Sequence, residues 1–262
     1  MRMNPPFDAG LLSRVEDAGL NASAPPQQRL VDGWLVRFSP GKAKRARCVN
    51  AVAPGRLPLA QKLALCRSVY AEAGLRMLLR ITPFSEPARL DAALDAIGMQ
   101  RIDDTRVMVL ADLSVLPGDT PSQQGDLAFE HVGPEAFARW LGAMRGSTLA
   151  QQQAHAQRLI QAPVSFEAQV LRRDGELLAC GQIAMEADLA GLYDVFTVPT
   201  ARGQGLAQTL CLQLLRHARA RGARAAYLQV EADNAAARRV YQRLGFRDGY
   251  AYHYRADETA AP

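Results

Sequence analysis

A mixed β-sheet flanked by helices, in the α+β class, is the architecture that this 262-residue sequence predicts. Residues 166–172 and 177–185 alternate between apolar and polar side chains and meet at Asp174-Gly175, which indicates an antiparallel hairpin. Strand-like residues 192–198 lead into a long amphipathic helix at 205–221, which indicates a strand that pairs in parallel with the next one. The sheet is therefore expected to mix antiparallel and parallel pairs.

The other elements of the second half follow from periodicity and turn residues. Pro134 suits the first turn of a helix, and Gly222 and Gly245 suit helix ends. The elements predicted are strand 127–131, helices 134–144 and 151–160, strand 225–230, helix 235–244 and strand 250–254.

A break in composition divides the chain. Residues 116–125 are rich in Pro, Gly, Ser and Gln and show no apolar periodicity, which is typical of a linker. The sequence therefore predicts a first domain at residues 1–116, a linker at 117–125 and a second domain at 126–262.

The first half repeats part of the pattern of the second. In each half a glycine opens a predicted strand and another closes the helix after it, and these pairs are Gly74 with Gly98 and Gly222 with Gly245. Their separations, 24 and 23 residues, are nearly equal. This favours a duplicated unit, with a chance likeness between two strand–helix stretches as the alternative.

Charge and cysteine content bear on the class of function. The net charge of +5 is spread among acidic and small residues, and the densest basic cluster, at 42–47, has no aromatic residue on which a base could stack. This favours a solvated surface, or a patch for a phosphorylated small molecule, over nucleic-acid binding. The four cysteines form no Cys-x-x-Cys pair and the four histidines are scattered, so no metal site is expected.

Hydropathy predicts a cytoplasmic protein without a membrane partner. No apolar run approaches the length of a membrane span, and the first residues lack the apolar core of a secretory signal. The aromatic strand 250–254 can pair across a dimer or between the two halves, so monomer and homodimer both stay open.

The turn at residues 202–207 is suited to hold an anion. A predicted strand ends at Val198 and the next helix begins near Gly205, where the first-turn N–H groups have no partner inside the helix. Gly203 and Gly205 carry no side chain that would block a close approach, and Ala207 adds one methyl group. These features predict a cradle for a pyrophosphate.

Two common nucleotide-binding motifs do not fit this turn. A P-loop needs Gly-Lys-Ser/Thr at the helix start, where Gly205-Leu-Ala207 stands, and a dinucleotide fold needs Gly-x-Gly-x-x-Gly, whose third glycine is replaced by Gln208. A third motif, Gln/Arg-x-x-Gly-x-Gly/Ala, is matched at every position by Arg202-Gly-Gln-Gly-Leu-Ala207.

A second motif lies downstream. Asn234 and the segment Ala235-Ala-Ala-Arg-Arg-Val-Tyr241-Gln-Arg-Leu-Gly-Phe246 follow the pattern Asn-x-x-Ala-x-x-x-Tyr-x-x-x-Gly-Phe. In both motifs, and over roughly residues 126–256, the chain resembles the Gcn5-related N-acetyltransferase (GNAT) superfamily.

The resemblance implies the acyl-CoA N-acyltransferase fold, twice in tandem, each copy a mixed central sheet flanked by helices. It implies acetyl-CoA as cosubstrate, no metal, and direct transfer of the acetyl group to a primary amine of a small molecule. A protein or peptide lysine or N-terminus is the alternative acceptor, and a non-catalytic acyl-CoA sensor is the alternative outside enzymes.

The resemblance also implies roles for individual residues. Tyr241 would protonate the departing thiolate, because the acid strengths of a phenol and a thiol are similar. Backbone groups of the strand and the loop, together with the Asn234 side chain, would hold the cosubstrate. The cofactor-binding residues implied are Phe196, Thr197, Val198, Arg202, Gly203, Gln204, Gly205, Leu206, Ala207 and Asn234.

The attacking amine must be neutral, so the site needs a base or a water chain. Asp194 is the leading candidate, because on a strand it shares a face with Phe196. Glu231, Asp233 and Glu186 are its rivals. The cysteines stand in no nucleophile motif, so no covalent enzyme intermediate is expected.

The first half lacks the cradle. At the corresponding turn, residues 53–58 read Ala-Pro-Gly-Arg-Leu-Pro, with one glycine and two prolines that have no N–H. This half is therefore predicted to be degenerate and to bind no CoA. Residues 32–37 and 45–50 resemble the N-terminal halves of some bacterial two-domain acetyltransferases, which implies a wall for the acceptor cleft. Three residues of these segments could either face the cleft or serve packing and the surface: Arg37, Arg47 and Asn50.

Overall fold

The computed structural model describes residues 7–39, 43–117 and 127–257. Within them, eleven strands form one sheet, and none of the helices is long and apolar enough to span a bilayer. The helices are α1 (Ala9–Ala22), α2 (Leu59–Glu72), α3 (Leu90–Ala96), α4 (Pro134–Met144), α5 (Leu149–Ile160), α6 (Leu206–Ala220) and α7 (Ala235–Arg243). The strands are β1 (Gln28–Val31), β2 (Trp34–Arg37), β3 (Val49–Asn50), β4 (Leu78–Ile81), β5 (Gln100–Leu110), β6 (Leu127–Val132), β7 (Ser165–Arg173), β8 (Glu176–Glu186), β9 (Leu189–Thr197), β10 (Ala225–Glu231) and β11 (Arg247–Ala256). Residues 118–125 of the predicted linker lie outside the described residues.

The second half matches the sequence prediction element by element. The β7–β8 hairpin turns at Asp174 and Gly175, and both have positive φ (50° and 80°), as a two-residue hairpin turn requires. Pro134 is the first residue of α4, and Gly222, with φ of 99°, follows the end of α6. The mixed α+β fold is therefore confirmed.

The prediction omitted β1, β2 and β5. Strand β5 carries charged residues along its first half and only its last four residues are all buried, so its pattern is not that of a uniformly buried strand. The helix that is predicted to end at Gly98 is short, because Pro87 has no N–H and the N–H of Glu86 donates to Ala51 O at 2.8 Å. Helix α3 therefore begins at Leu90.

The strand order reveals an exchange between the two halves. It runs β1-β2-β3-β4-β11-β5-β10-β9-β8-β7-β6. Strands β3 and β4 pair in parallel, as do β9 and β10, and the last strand of each half crosses over: β11 pairs with β4, and β5 pairs with β10. The predicted tandem arrangement is confirmed, and the sheet is continuous across the proposed domain boundary.

Helix α1 closes the sheet where the halves meet. Its Glu16 carboxylate is buried, and it accepts hydrogen bonds from Tyr250 Oη at 2.6 Å and from Arg80 Nη2 at 3.0 Å. Burial would raise the pKa of Glu16, but Arg80 and Tyr250 outweigh burial and lower it. Arg80 belongs to the first half and Tyr250 to the second, so this buried network joins them.

Candidate active site

A cleft opens in the sheet because β9 and β10 diverge. Their parallel pairing ends at Leu192 and Leu228, although β9 continues to Thr197 beside β8 and β10 continues to Glu231 beside β5. The backbone of β9 beyond Leu192 therefore has an open side. The strand that carries Asp194 and the glycine turn, both singled out in the sequence, lie along this opening.

A β-bulge marks the middle of the cleft. Between the pairs Gln182–Tyr193 and Cys180–Phe196, two residues of β9 face one of β8, and Asp194 has a φ of 51°. Positive φ is strained for a non-glycine residue and is common where a side chain must be redirected. The bulge turns Asp194 out of the regular alternation of the strand.

The backbone of β9 after the bulge alternates between β8 and the cleft. The N–H of Val198 donates to Leu178 O at 2.9 Å, so Val198 and Phe196 face β8. Thr197 therefore faces the open side, where its carbonyl accepts from Arg202 Nε at 3.3 Å. Of the three predicted strand residues, Thr197 is the one whose backbone faces the cleft.

The glycine turn forms an open cradle at the start of α6. Gly203 and Gly205 have φ values of 80° and 77°, and no other atom lies within 4 Å of where a Cβ would stand on either. Leu206 begins the helix with its side chain in the core, and Gln204 is exposed. The N–H groups of this first turn are thus presented to a space that side chains leave free, as an anion requires.

Two adjoining cavities occupy the cleft. The first, which we call the loop cavity, measures about 630 Å³ and is lined by the cradle. The second, the interhalf cavity, measures about 720 Å³ and is lined by residues of both halves. Both are of the size of small-molecule sites. Residues lining both cavities are Arg145, Val195, Asn234, Ala237 and Tyr241.

Tyr241 stands at the junction of the two cavities. Its ring packs against Phe246 with centroids 6.1 Å apart, which fixes the side chain on α7. Burial, with a smaller effect of Cys211, raises the pKa of Tyr241 well above its usual value. The hydroxyl therefore keeps its proton at neutral pH, as a general acid must.

Asn234 lies at the same junction and also caps α7. Its Oδ1 accepts from the N–H of Ala237 at 3.1 Å, a side-chain cap at the helix start. The carbonyl of this amide is thus engaged in the fold, and the amide Nδ2 is the group left for a ligand.

Asp194 lies at the site, but in surroundings that disfavour proton uptake. It accepts hydrogen bonds from Arg145 Nη1 at 2.9 Å and Gln182 Nε2 at 2.8 Å, and its Oδ2 lies 3.4 Å from His155 Nε2. Burial would raise the pKa of Asp194, but His155 and then Arg145 and Arg158 lower it far below its usual value. The carboxylate is therefore a weak base.

The rival carboxylates are dispersed. Glu231 lines the interhalf cavity. Glu186 accepts hydrogen bonds from Asn21 Nδ2 at 2.9 and 3.1 Å and lies away from both cavities, and Asp233 lines neither. The thiols of Cys180 and Cys211 are buried, and burial raises the pKa of each to about 12, which keeps them protonated.

Helices α4 and α5 bring residues that sequence patterns did not single out. Arg145, His155 and Arg158 line the interhalf cavity from these helices, and Arg45 reaches it from a short 3₁₀ helix in the first half. Only Arg45 lay in a recognisable pattern, the basic cluster at 42–47. Of the first-half residues expected to wall the cleft, Arg37 and Asn50 are buried, and Arg37, Arg47 and Asn50 do not line this cavity.

Comparison with known proteins agrees with this geometry. Residues 135–246 match the model of the Acetyltransferase (GNAT) family. A mycothiol acetyltransferase of Gordonia bronchialis is 28% identical over 217 residues, which cover 81% of this chain and 64% of that protein. A mycothiol acetyltransferase of Mycobacteroides abscessus is 30% identical over 74% of this chain and 59% of that protein. This chain thus spans less than two thirds of the length of these relatives.

Solved structures extend the likeness to the whole chain. A GCN5-related N-acetyltransferase from Kribbella flavida superposes with a TM-score of 0.69 at 17% identity, over 97% of this chain and 98% of that one. A tandem GNAT protein from the clavulanic acid biosynthesis pathway superposes with a TM-score of 0.67 at 16% identity, over 93% and 88%. Residues 135–246 therefore form a GNAT domain, and the chain shares the fold of tandem GNAT structures.

Proposed function

We propose that this chain is an acetyl-CoA-dependent N-acetyltransferase that transfers the acetyl group directly to a primary amine of a small molecule. The observation that carries the proposal is that two cavities of ligand size meet at Tyr241 and Asn234. One has an anion cradle, and the other is walled by both halves. A cosubstrate and an acceptor approaching from the two sides would meet where a proton donor stands.

The loop cavity fits a CoA pyrophosphate. First-turn N–H groups of α6, from Gly203 to Ala207, would hold the phosphates, and the open space at both glycines lets them approach. Arg202, Arg239 and Arg243 line the same cavity and add positive charge. The open backbone of Thr197 and the Nδ2 of Asn234 would orient the pantetheine arm. When bound, acetyl-CoA supplies the activated acyl group.

Tyr241 would donate its proton to the leaving sulfur. Its raised pKa keeps the phenol protonated at neutral pH, so the proton is in place when the sulfur departs. No cysteine nucleophile is involved, because the described thiols are buried and protonated.

We assign removal of the amine proton to His155, with Asp194 as the residue that positions it. A base whose pKa lies far below neutrality accepts protons poorly, and Asp194 is such a group. A proton on Nε2, the nitrogen 3.4 Å from Asp194 Oδ2, leaves Nδ1 of His155 as an acceptor. This replaces the expectation that Asp194 itself is the base.

The interhalf cavity favours a small molecule over a protein acceptor. Residues 43–46 of the first half and helices α4 and α5 of the second line it from several directions, so the acceptor lies in a walled space rather than along an open groove. A peptide chain would need an open groove that continues on both sides of the amine.

Thiol release tests the proposal. The protein is incubated with acetyl-CoA and a panel of amines, polyamines, amino acids and peptides, and free CoA thiol is measured over time against the Gly205→Glu variant. Turnover by the unaltered protein that the variant lacks is the expected result. Tight acetyl-CoA binding with no turnover on any amine would instead indicate a sensor.

A further inference from the structure

The interhalf cavity contains a guanidinium from the first half. Arg45 projects from the 3₁₀ helix Lys44–Ala46, and its Nη1 donates to Gln229 Oε1 at 3.1 Å and to Tyr252 Oη at 3.4 Å. Its Cζ lies 5.9 Å from the centroid of the Tyr193 ring. Within the described residues, no carboxylate lies within the 4 Å of an ion pair with Arg45. Burial would lower the pKa of Arg45, but Tyr252, Tyr254 and Tyr193 outweigh burial and raise it, so the guanidinium stays charged.

A second guanidinium enters from the opposite half. Arg158 of α5 donates from Nη1 to Ala22 O at 3.2 Å, and its Cζ lies 5.9 Å from the centroid of the Phe166 ring. Phe166 and Tyr193 are themselves in edge contact, with centroids 5.6 Å apart. The two arginines thus flank one aromatic pair. In the part of the chain that the structure describes, Arg158 also has no carboxylate at ion-pair distance.

The carboxylates of the cavity are largely neutralised by other groups. Asp103 pairs with Lys44, and Asp194 pairs with Arg145. Among the described lining residues, Glu231 alone is a carboxylate without an ion pair. The seven charged lining groups therefore leave two guanidiniums unpaired, against one free carboxylate. These groups are Lys44, Arg45, Arg145, Arg158, Asp103, Asp194 and Glu231.

An unpaired guanidinium that is largely removed from water is costly unless a counter-ion arrives. Burial lowers the pKa of Arg158, and although Asp194 opposes this effect, the like charge of Arg45 adds to it. Both arginines are half-buried and line the interhalf cavity, so this wall of the cavity carries two positive charges. A planar guanidinium fork is the group best matched to a carboxylate or a phosphate.

We propose that Arg45 and Arg158 bind an oxyanion of the acceptor, so that the acceptor is a small amine carrying a carboxylate or phosphate. This inference rests on the proposed acetyltransferase function and names its substrate class. It also gives the degenerate half a role in specificity, because it supplies one of the two arginines. Polycationic amines are disfavoured as acceptors, because the same wall would repel them.

Matched pairs of ligands test the proposal. Calorimetry measures how tightly the CoA-loaded protein binds each member of two ligand pairs. γ-Aminobutyrate is compared with n-butylamine to test a carboxylate, and phosphoethanolamine is compared with ethanolamine to test a phosphate. The same titrations are run on Arg45→Gln and Arg158→Gln. Arg29→Gln is the control, because Arg29 is exposed on β1, where it pairs with Glu72 and lies over the Phe38 ring, and it does not line the interhalf cavity. Thermal melting and CoA affinity of each variant report on folding.

At least one ligand that carries an oxyanion is expected to bind about tenfold or more tightly than its partner without one, as charge-assisted hydrogen bonds imply. Either glutamine variant should remove that preference while keeping CoA affinity, and Arg29→Gln should retain it. If a variant misfolds, Arg45→Lys and Arg158→Lys, which keep the charge, take its place and should weaken the preference without abolishing it.

Three results would overturn the proposal: partners without an oxyanion that bind as tightly, a preference that survives both variants, or no binding by either oxyanion-bearing ligand at its solubility limit. Thiol release is recorded in parallel. An amine that binds with the predicted preference but is never acetylated would leave the oxyanion site standing and would contradict the acetyltransferase function.

Discussion

The two halves of the chain build the same turn before a helix and use it in opposite ways. Before α6, Gly203 and Gly205 leave the N–H groups of the helix start facing an open cavity. Before α2, the Asp32 carboxylate accepts from the N–H of Arg56 at 2.8 and 2.9 Å and from that of Leu57 at 2.8 Å. The first turn thus carries its own anion, supplied by the protein.

Asp32 is held in place from the other side as well. The buried ammonium of Lys62 lies 3.1 Å from Asp32 Oδ2 and donates to Pro54 O at 2.8 Å. The N–H groups of Leu57 and Arg56, then Lys62, lower the pKa of Asp32. A side-chain carboxylate therefore occupies the place that a phosphate would need, and the turn serves the fold.

The acid and the amide are also missing from the first half. Four residues before the closing glycine stand Tyr241 in the second half and Leu94 in the first, and Leu94 is fully buried. The residue eleven positions before the closing glycine is Asn234 in the second half and Pro87 in the first. A duplicated fold can thus keep its packing while each chemical group of the site is replaced by one that stabilises the core.

The largest effect is expected from Gly205→Glu, which fills the open cradle. A carboxylate there brings bulk and like charge to the phosphate position, so CoA affinity should fall by about a thousandfold or more, measured by calorimetry. Gly222→Glu is the control, because Gly222 also has positive φ and open space but lies at the far end of α6. Equal losses in both variants would show strain rather than a cradle.

His155→Gln should lower kcat by about a hundredfold through loss of the base. Asp194→Asn should lower it less, by about tenfold, because the imidazole remains but is no longer positioned. The order of the two effects, read from pre-steady-state acetyl transfer, decides between the residues. A greater loss in Asp194→Asn would return the role of base to Asp194.

Tyr241→Phe should slow acetyl transfer by about tenfold and leave acetyl-CoA affinity nearly intact. The phenyl ring keeps the contact with Phe246, so the variant removes only the hydroxyl. Tyr70→Phe serves as control, since Tyr70 lies in the first half and bonds Arg37 O. An unaltered rate under conditions where chemistry limits turnover would eliminate Tyr241 as the acid.

The smallest effect on binding is expected from Asp32→Asn. The variant should unfold at lower denaturant concentration, yet calorimetry should still find one CoA per chain, because Pro54 and Pro58 lack N–H groups for a second cradle. Since the pKa of Asp32 is lowered by folding, its stabilisation exists above the unfolded pKa and disappears as the pH falls through the folded value. The stability gap between variant and parent should therefore close in acid. A second CoA bound by the variant would contradict this account, and Asp248→Asn provides a surface control.

The cradle was predictable from sequence because its physics is local. Gly203, Gly205 and the following helix are contiguous, and their spacing alone requires free N–H groups at the helix start. Tyr241 was predicted through the resemblance to the family motif, and helix spacing then places it two turns after Asn234. The strand order was not, since the exchange of β5 and β11 joins residues more than a hundred positions apart.

The proposed proton acceptor and the proposed oxyanion site for the acceptor lay beyond sequence patterns for the same reason. Asp194 looked like a base because strand alternation carries no information about Arg145 and His155, which reach it from separate helices. Arg45 lies in a basic cluster of the first half, but its partners Gln229 and Tyr252 belong to the second half, and the residues next to it in sequence give no information about them. Electrostatic surroundings are set by tertiary contacts, whereas a backbone cradle is set by consecutive residues.

The exchanged strands make the duplicated halves mutually dependent. A cut between residues 117 and 127 would separate exchanged strands from their partners. The first fragment would keep β5 without its neighbours β10 and β11, and the second would keep β11 without its neighbours β4 and β5. Each fragment would present bare strand edges and would regain a closed sheet only by capturing its counterpart. Each half therefore depends on the other to complete its sheet, and the half without a cradle supplies part of the scaffold on which the cradle-bearing half is built.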